Sequence, residues 1–157
     1  KKSCREVLQL IEKRNGIENV TFVGIHIRRG DLVSKRLYDH GYRMPNVSFF
    51  TNAMEYFRNS FDNVHFIVCT DDRAWCEKEI SVFPNVTVYS EDIAHDFAML
   101  VECDHMITSV GSFGWWAAWL NGGKVVYFDT PYAGEFAIKN KEMRENFFLP
   151  TWISMSN

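Results

Sequence analysis

The sequence lacks the short motifs that mark the commonest nucleotide, metal and redox sites. It has no Asp-x-Asp triplet, no Cys-x-x-Cys pair, no Gly-x-Gly-x-x-Gly turn and no phosphate loop ending in Gly-Lys-Ser or Gly-Lys-Thr. These absences exclude the common carboxylate motif that binds divalent cations, the paired cysteines of redox and simple zinc sites, and the two glycine-rich motifs that bind nucleotides. We therefore predict no metal site, and other groups must bind any phosphate.

An excess of positive charge and long apolar runs are also absent. The chain has 17 Lys and Arg against 20 Asp and Glu, a net charge of -3, so it lacks the basic stripe of a general nucleic-acid binder. No apolar run approaches the ~18 residues that span a membrane. The opening "KKSCREVLQL" does not resemble a signal peptide. The length suits one domain over residues 1–157, and the missing initial Met suggests a piece of a longer protein.

Cysteine is scarce, and its spacing matches no metal site. We predict that the four cysteines are small core residues, while one or two disulfides remain possible from sequence alone. Three Asn-x-Ser/Thr sequons, at Asn19, Asn46 and Asn85, indicate a secretory compartment and predict N-glycosylation.

Short β-branched runs alternate with amphipathic segments along most of the chain. This alternation predicts a doubly wound, Rossmann-like α/β domain, with a parallel sheet and helices on both faces. The tail, residues 130–157, gives mixed signals and is not assigned. The predicted strands are 20–27, 64–70, 85–90, 105–109 and 124–129, and the predicted helices are 3–14, 48–61, 71–80, 94–103 and 112–123.

Polar clusters follow four of the predicted strands where each strand ends. Because the carboxyl ends of parallel strands share one edge, where such sheets bind ligands, we expect these clusters to converge. They are residues 26–31, 70–72, 90–92 and 109–114.

The first cluster, "HIRRGD", is suited to binding a phosphate. Side chains alternate along a strand, which predicts His26 and Arg28 on one face and Arg29 on the other. Arg28 would present a bidentate fork to a phosphate, and Arg29 would pair with Asp31 and fix the turn. The alternatives are a solvated charged loop and an adhesive Arg-Gly-Asp loop.

The cluster after the fourth predicted strand, "TSVGSFGWW", is a glycine turn before an apolar helix. Gly111 and Gly114 would let the backbone approach a ligand, and Ser112 would cap the helix, whose free N–H groups would face a phosphate. The alternative is a plain turn, with the tryptophans as packing residues.

Three further polar residues are candidates at the same edge. Asp96 lies among apolar helical residues, and its carboxylate could accept two N–H groups of a guanine, or it is a surface residue near a helix start. Thr70 and Asp71 are equally consistent with ligand contacts and with turn and cap positions.

At these residues the sequence resembles the carboxyl-terminal half of the α-1,2-fucosyltransferases, glycosyltransferase family 11. The family's His-x-Arg-Arg-Gly-Asp motif corresponds to residues 26–31. The segments 74–80 and 95–123, and the closing "FLPTW" at 148–152, are also similar to family segments. The resemblance runs in register from about residue 20 to the end.

This resemblance implies the second, donor-binding domain of a GT-B glycosyltransferase. The family transfers L-fucose from GDP-β-L-fucose to the 2-hydroxyl of a terminal galactose on a glycan, with inversion and without a metal or other cofactor. Its members are type II membrane proteins of the Golgi lumen, anchored through an amino-terminal segment that this chain does not contain.

The resemblance also implies roles for individual residues. Arg28 would hold the β-phosphate, His26 and Asp96 would lie at the guanine, and Ser112 and Phe113 would lie beside the diphosphate. The other donor-binding residues that we predict are Arg29, Asp31, Thr70, Asp71, Ser109, Gly111 and Gly114.

Two departures from the family leave alternatives open. The chain is about half the expected size, so a truncated pseudoenzyme or a non-catalytic GDP-sugar-binding module is an alternative, as is an O-fucosyltransferase-like enzyme with another acceptor. No residue is an obvious general base, which inversion ordinarily requires. Asp39, beside His40, is the candidate; otherwise the base lies in the missing half, or water takes the proton late.

Overall fold

The helices and strands follow the predicted pattern closely. The structure is a computed structural model that describes residues 2–16, 18–139, 142 and 146–157. Its strands are Thr21–Ile27 (β1), Val64–Thr70 (β2), Val86–Val88 (β3), His105–Thr108 (β4), Val125–Phe128 (β5) and Ile153–Met155 (β6). Its α-helices are Cys4–Asn15 (α1), Lys35–Asp39 (α2), Val47–Ser60 (α3), Arg73–Glu79 (α4), Ile93–Glu102 (α5), Ser112–Asn121 (α6) and Gly134–Lys139 (α7), with a 3₁₀ turn at Gly30–Val33.

The six strands form one sheet in the order β3-β2-β1-β4-β5-β6. Every neighbouring pair is parallel, which confirms the predicted Rossmann-like α/β class. The chain proceeds outward from β1 through β2 to β3, then returns to place β4 on the other side of β1. The crevice between the carboxyl ends of β1 and β4 is therefore the topological switch point, where such sheets bind ligands.

Each face of the sheet carries its own helices and its own core. Because side chains alternate along β1, Val23, Ile25 and Ile27 join one core and Phe22 joins the other. The first core includes Phe49, Phe50, Met54 and Phe57 of α3 and Cys76 of α4. The second includes Leu8 of α1, Met99 and Leu100 of α5, and Ala117 and Ala118 of α6. All four cysteines are buried and unpaired, as expected of core residues.

Local signals fix most helix ends. Ser3 and Glu6 form a reciprocal capping box at the start of α1, and Gly16 ends that helix in the left-handed region at φ 63°. Residue Ser48, at which the sequence pattern predicts the start of α3 and which would cap it, is already helical. Asn46 caps this helix, because its Oδ1 accepts hydrogen bonds from Ser48 N–H at 2.8 Å and Phe49 N–H at 3.3 Å.

The unassigned tail supplies α7 and the edge strand β6. A strand of three residues is too short to show a period of two, which is why β6 was not recognised in the tail. Among the described residues, no helix combines the length and the apolar character needed to cross a membrane. The three sequon asparagines are exposed, and their glycosylation stays a prediction.

Candidate functional site

The loops after β1 and β4 are tied together at the switch point. Ser109 N–H donates to the carbonyl of His26 at 3.1 Å, and Arg28 N–H donates to Ser109 Oγ at 2.9 Å. The predicted convergence of these two clusters is therefore observed, and Ser109 is the residue that joins them.

Arg28 lies above the turn that begins α6. A Cβ atom at Gly111 would lie 3.1 Å from Arg28 Nη1, and Gly111 has φ +92°, so a larger residue would be strained and would crowd the guanidinium. Arg28 Nη2 donates to Asp31 Oδ1 at 3.1 Å, while the Arg28 side chain remains 39% exposed. This hydrogen bond lowers the pKa of Asp31 below its ordinary value. Arg28 is thus oriented by Asp31 without being sealed from solvent.

The expected pairing of Arg29 with Asp31 is wrong. Arg29 Nε donates to Asp72 Oδ2 at 3.0 Å, and its guanidinium stacks over the Trp75 ring with Cζ 4.0 Å from the centroid. The physical reason is the alternation itself, which directs Arg29 to the face of α4 and leaves Asp31 near Arg28. The predicted opposite faces of Arg28 and Arg29 are confirmed, and Arg29 has a structural role.

A cavity of about 340 Å³ opens beside Arg28 at the switch point. The loops after β1, β4 and β5 and the tail segment 147–148 surround it. Five of the predicted donor-binding residues line it: Arg28, Asp31, Ser109, Gly111 and Ser112. Its other walls are mainly apolar or aromatic, from Leu32, Leu37, Tyr42, Val110, Trp115, Phe128, Pro131, Tyr132, Phe147 and Phe148, with Arg43 and Thr108.

Ser112 does not cap α6, contrary to the prediction. The cap residue is Gly111, and Ser112 is the first helical residue. A cap position needs a non-helical backbone, which Gly111 adopts at φ 92° and ψ 161°. Within the described residues, no side-chain hydrogen bond caps the start of α6, so this end of the helix keeps N–H donors for an anion in the cavity.

Gly114 and His26 belong to the contact between α6 and the sheet. A Cβ at Gly114 would collide with Thr108 Oγ1 and His26 Nδ1. The missing side chain therefore lets α6 pack closely against β1 and β4, rather than letting the backbone approach a ligand. The His26 ring is buried 5.2 Å from the Phe113 ring, and burial lowers the pKa of His26 to about 4. These three residues do not line the cavity. The predicted contact of His26 with guanine stays a prediction.

Thr70, Asp71 and Asp96 lie at the same edge, on the β2 side of the switch point. Thr70 Oγ1 accepts from Asp72 N–H at 3.0 Å, and Asp71 Oδ1 accepts from Arg29 N–H at 2.7 Å. Asp96 accepts from Glu91 N–H at 2.9 Å and lies 3.1 Å from Ser90 Oγ, while burial raises its pKa. These oxygens already bind protein donors, and none of the three residues lines the cavity.

Asp39 is not brought to Arg28. Its Oδ2 pairs with Lys35 Nζ at 2.6 Å, and it lines a neighbouring depression together with His40, Gly134 and Glu135. Its role as a general base stays a prediction. Among the described residues that line the cavity, Asp31 supplies the only carboxylate.

Sequence reasoning missed the residues that close the far side of the cavity. An antiparallel bridge joins Tyr42 to Tyr132, and Arg43 N–H donates to the Pro131 carbonyl at 2.8 Å, so the loops after β1 and β5 meet. No local motif marks this pairing. The aromatic residues of "GYRMP" and "FDTPYAG" are the only hint that the sequence offered.

Comparison with known proteins identifies the family. The model described as "Glycosyl transferase family 11" matches residues 2–156. The chain belongs to glycosyl transferase family 11.

Within the described residues, no group of three or more His, Cys, Asp or Glu side chains is arranged to hold a metal ion.

Relatives in this family confirm the resemblance to α-1,2-fucosyltransferases. The chain is 32% identical over 155 residues to galactoside alpha-(1,2)-fucosyltransferase 1 of Sus scrofa, covering 91% of this chain and 40% of that protein. It is 32% identical over 160 residues to galactoside alpha-(1,2)-fucosyltransferase 2 of Rattus norvegicus, covering 90% and 41%. The chain thus spans about two-fifths of the length of these relatives.

Solved structures agree on the fold. The selenomethionine fucosyltransferase NodZ from Bradyrhizobium matches with a TM-score of 0.53 and 16% identity, over 83% of this chain and 45% of that one. The NodZ alpha-1,6-fucosyltransferase co-crystallized with GDP matches with a TM-score of 0.50 and 16% identity, over 82% and 44%. At this identity the similarity concerns the architecture alone.

Proposed function

We propose that this chain is the donor-binding part of a galactoside α-1,2-fucosyltransferase. The reaction transfers L-fucose from GDP-β-L-fucose to the 2-hydroxyl of a terminal galactose on a glycan. Residues 1–157 then form one GDP-fucose-binding domain, equivalent to the second domain of a GT-B enzyme. The names of the relatives support the substrates, and the parallel sheet supports the domain type.

The position of Arg28 carries this proposal. Its guanidinium lies over Gly111 at the uncapped start of α6, and all three elements border the switch-point cavity. A guanidinium fork binds phosphate oxygens bidentately, and the helix start adds free N–H groups and a partial positive charge. A diphosphate placed there would contact both.

This geometry suits an inverting displacement in which no divalent ion is needed. The bond between fucose C1 and the β-phosphate oxygen breaks, and its electron pair leaves with GDP. The galactose 2-hydroxyl oxygen bonds to C1 from the opposite face and loses its proton, which converts the β-linkage to an α-linkage. Arg28 and the α6 N–H groups stabilise the charge that develops on the phosphate, and such preorganised donors are typically worth ~3–4 kcal/mol each.

Inversion also requires a group that accepts the hydroxyl proton. Asp31 is held by Arg28, and its lowered pKa makes it a weak base. Asp39 remains our candidate from the sequence, although it pairs with Lys35 outside the cavity. Part of the catalytic machinery then comes from outside this chain, or water takes the proton late.

We extend the proposal to the cellular setting. A galactoside fucosyltransferase of this family would act in the Golgi lumen as a type II membrane protein, anchored by a segment outside this chain. The exposed asparagines Asn19, Asn46 and Asn85 are consistent with N-glycosylation there.

The decisive experiment replaces Arg28 with Lys in the protein that carries this chain. We expect Arg28→Lys to lower kcat for GDP-fucose transfer about a hundredfold or more, because an ammonium cannot replace the bidentate fork. Arg73→Lys is the matched control, since Arg73 pairs with exposed Glu77 and does not line the cavity. Near-normal turnover of Arg28→Lys would contradict the assigned role. GDP binding by the wild type without transfer to any galactoside would favour the non-catalytic alternative.

A further inference from the structure

Arg43 is a second guanidinium at the cavity, and the loop holds it in place. Its Nη1 donates to the carbonyls of Tyr38 at 2.9 Å and Tyr42 at 2.7 Å. Its Cζ lies 3.9 Å from the centroid of the Tyr38 ring, and its backbone N–H is bound to the Pro131 carbonyl. A long side chain fixed by three contacts, on a backbone that is itself hydrogen-bonded, loses little further freedom when it binds a ligand.

Among the described residues, no carboxylate forms an ion pair with Arg43, whose partners are carbonyl oxygens and an aromatic ring. Asp39 and Glu135, which line the neighbouring depression together with Arg43, pair instead with Lys35 and Lys139. Arg28, in contrast, is paired with Asp31 at 3.1 Å. Among the described residues, the charged side chains that line the cavity are Arg28, Asp31 and Arg43, so the net positive charge of this lining comes from Arg43.

A nucleoside diphosphate sugar needs that net charge. Each phosphate carries a negative charge, and the leaving nucleotide gains another when the bond to the sugar breaks. The Arg28–Asp31 pair is close to neutral as a unit, so it orients a phosphate better than it compensates its charge. A guanidinium has five N–H donors, and the two carbonyl bonds of Arg43 use only Nη1, leaving the donors on Nη2 and Nε.

We propose that Arg43 is the second cation of the diphosphate site, binding the phosphates of the donor opposite Arg28 and stabilising the departing nucleotide. This inference rests on the proposed function and names a further residue of the same site. The sequence has no Asp-x-Asp triplet, which in other enzymes binds a divalent cation beside the diphosphate. In this proposal Arg43 supplies the positive charge that such a cation would bring.

The test compares three ligands that differ in phosphate content: GDP, GMP and guanosine. Each is titrated calorimetrically into the protein that carries this chain, as wild type and as Arg43→Gln. We expect Arg43→Gln to weaken GDP binding about tenfold or more, GMP binding less, and guanosine binding within about twofold. Arg36→Gln is the control, because it removes the same charge from an exposed position on the nearby helix α2 that does not line the cavity, and it is expected to match the wild type.

A double variant separates a direct contact from an effect on the loop. If Arg43 binds phosphate itself, Arg28→Gln with Arg43→Gln weakens GDP binding beyond either single change. If Arg43 only positions Arg28, the double variant is no weaker than Arg28→Gln alone, and the inference is overturned. Arg43→Lys gives an independent check, because lysine keeps the positive charge. GDP binding is expected to fall less than in Arg43→Gln, and equal losses in the two variants would show that the charge of Arg43 does not bind the phosphates.

The outcomes also separate this inference from the function on which it rests. A wild type that binds no GDP overturns the proposed function, and the role of Arg43 with it. A wild type that binds GDP, with Arg43→Gln equal to Arg36→Gln, overturns the role of Arg43 alone.

Discussion

The two sides of the switch point use similar polar residues in opposite ways. On the β2–β3 side, Thr70, Asp71, Asp72 and Asp96 accept hydrogen bonds from neighbouring loops. On the β4–β5 side, Arg28 lines a cavity of about 340 Å³ together with the uncapped start of α6.

This difference shows that residue type indicates which edge of the sheet binds a ligand, but not which part of that edge is open to the ligand. A carboxylate that accepts two protein donors uses about half of its roughly four acceptor sites for the fold, whereas an exposed guanidinium over a free helix start keeps most of its donors for a ligand. We call these the closed side and the open side. Changes on the closed side should cost stability, and changes on the open side should cost ligand binding.

His26 lies between the two sides, and its protonation is expected to have the largest effect on stability. Burial lowers its pKa from 6.5 to about 4, opposed by Asp71 on the closed side and reinforced by Arg28 on the open side. Because His26 binds the proton more tightly in the unfolded chain than in the folded one, its protonation does not reduce the free energy of unfolding above about pH 6.5. This free energy should fall by about 3 kcal/mol as the pH drops toward 4.

The measurement is urea unfolding of the wild type and His26→Gln between pH 7.5 and 4.5. The variant is expected to lose stability at neutral pH but to show a shallower pH dependence. An identical slope in both proteins would mean that other groups control the acid sensitivity.

Asp72→Ala is expected to show an intermediate effect confined to stability. Asp72 caps α4 by accepting from Trp75 N–H at 3.1 Å and also pairs with Arg29 at 3.0 Å. Loss of the cap and the pair should cost roughly 1–2 kcal/mol of unfolding free energy, with GDP affinity unchanged. Asp72→Asn keeps a capping oxygen and should lose less. A large drop in GDP affinity with intact stability would place Asp72 on the open side.

Ser112→Ala is expected to have the smallest effect, because Ser112 is not the cap of α6. The unfolding free energy should change by less than about 0.5 kcal/mol. A true Ser cap would lose about 1 kcal/mol on the same change, so the matched pair Asp72→Ala and Ser112→Ala compares a side-chain cap with a glycine cap. Equal losses in thermal or denaturant unfolding would show that the two helix starts are alike.

Much of the fold was predictable because it depends on local pattern. The apolar run of β2 matches residues 64–70 at both ends, and Ser3 and Gly16 bound α1 as their chemistry requires. Alternation along β1 correctly separated Arg28 from Arg29. The partner of Arg29 was not predictable, because Asp72 is distant in sequence and reaches it only when β2 pairs with β1.

The sequence alone specifies the chain order of the first five strands and of α1, α3, α4, α5 and α6. It also indicates the sheet edge where polar residues gather and, through its motifs, the family. Each of these is encoded in neighbouring residues, by periodicity, caps or short signatures. Only the tertiary structure decided which side of the switch point is open, that Ser112 is not a cap, and that Arg43 shares a cavity with Arg28. These facts depend on contacts between residues far apart in the chain, such as Tyr42 with Tyr132, and no local pattern carries that information.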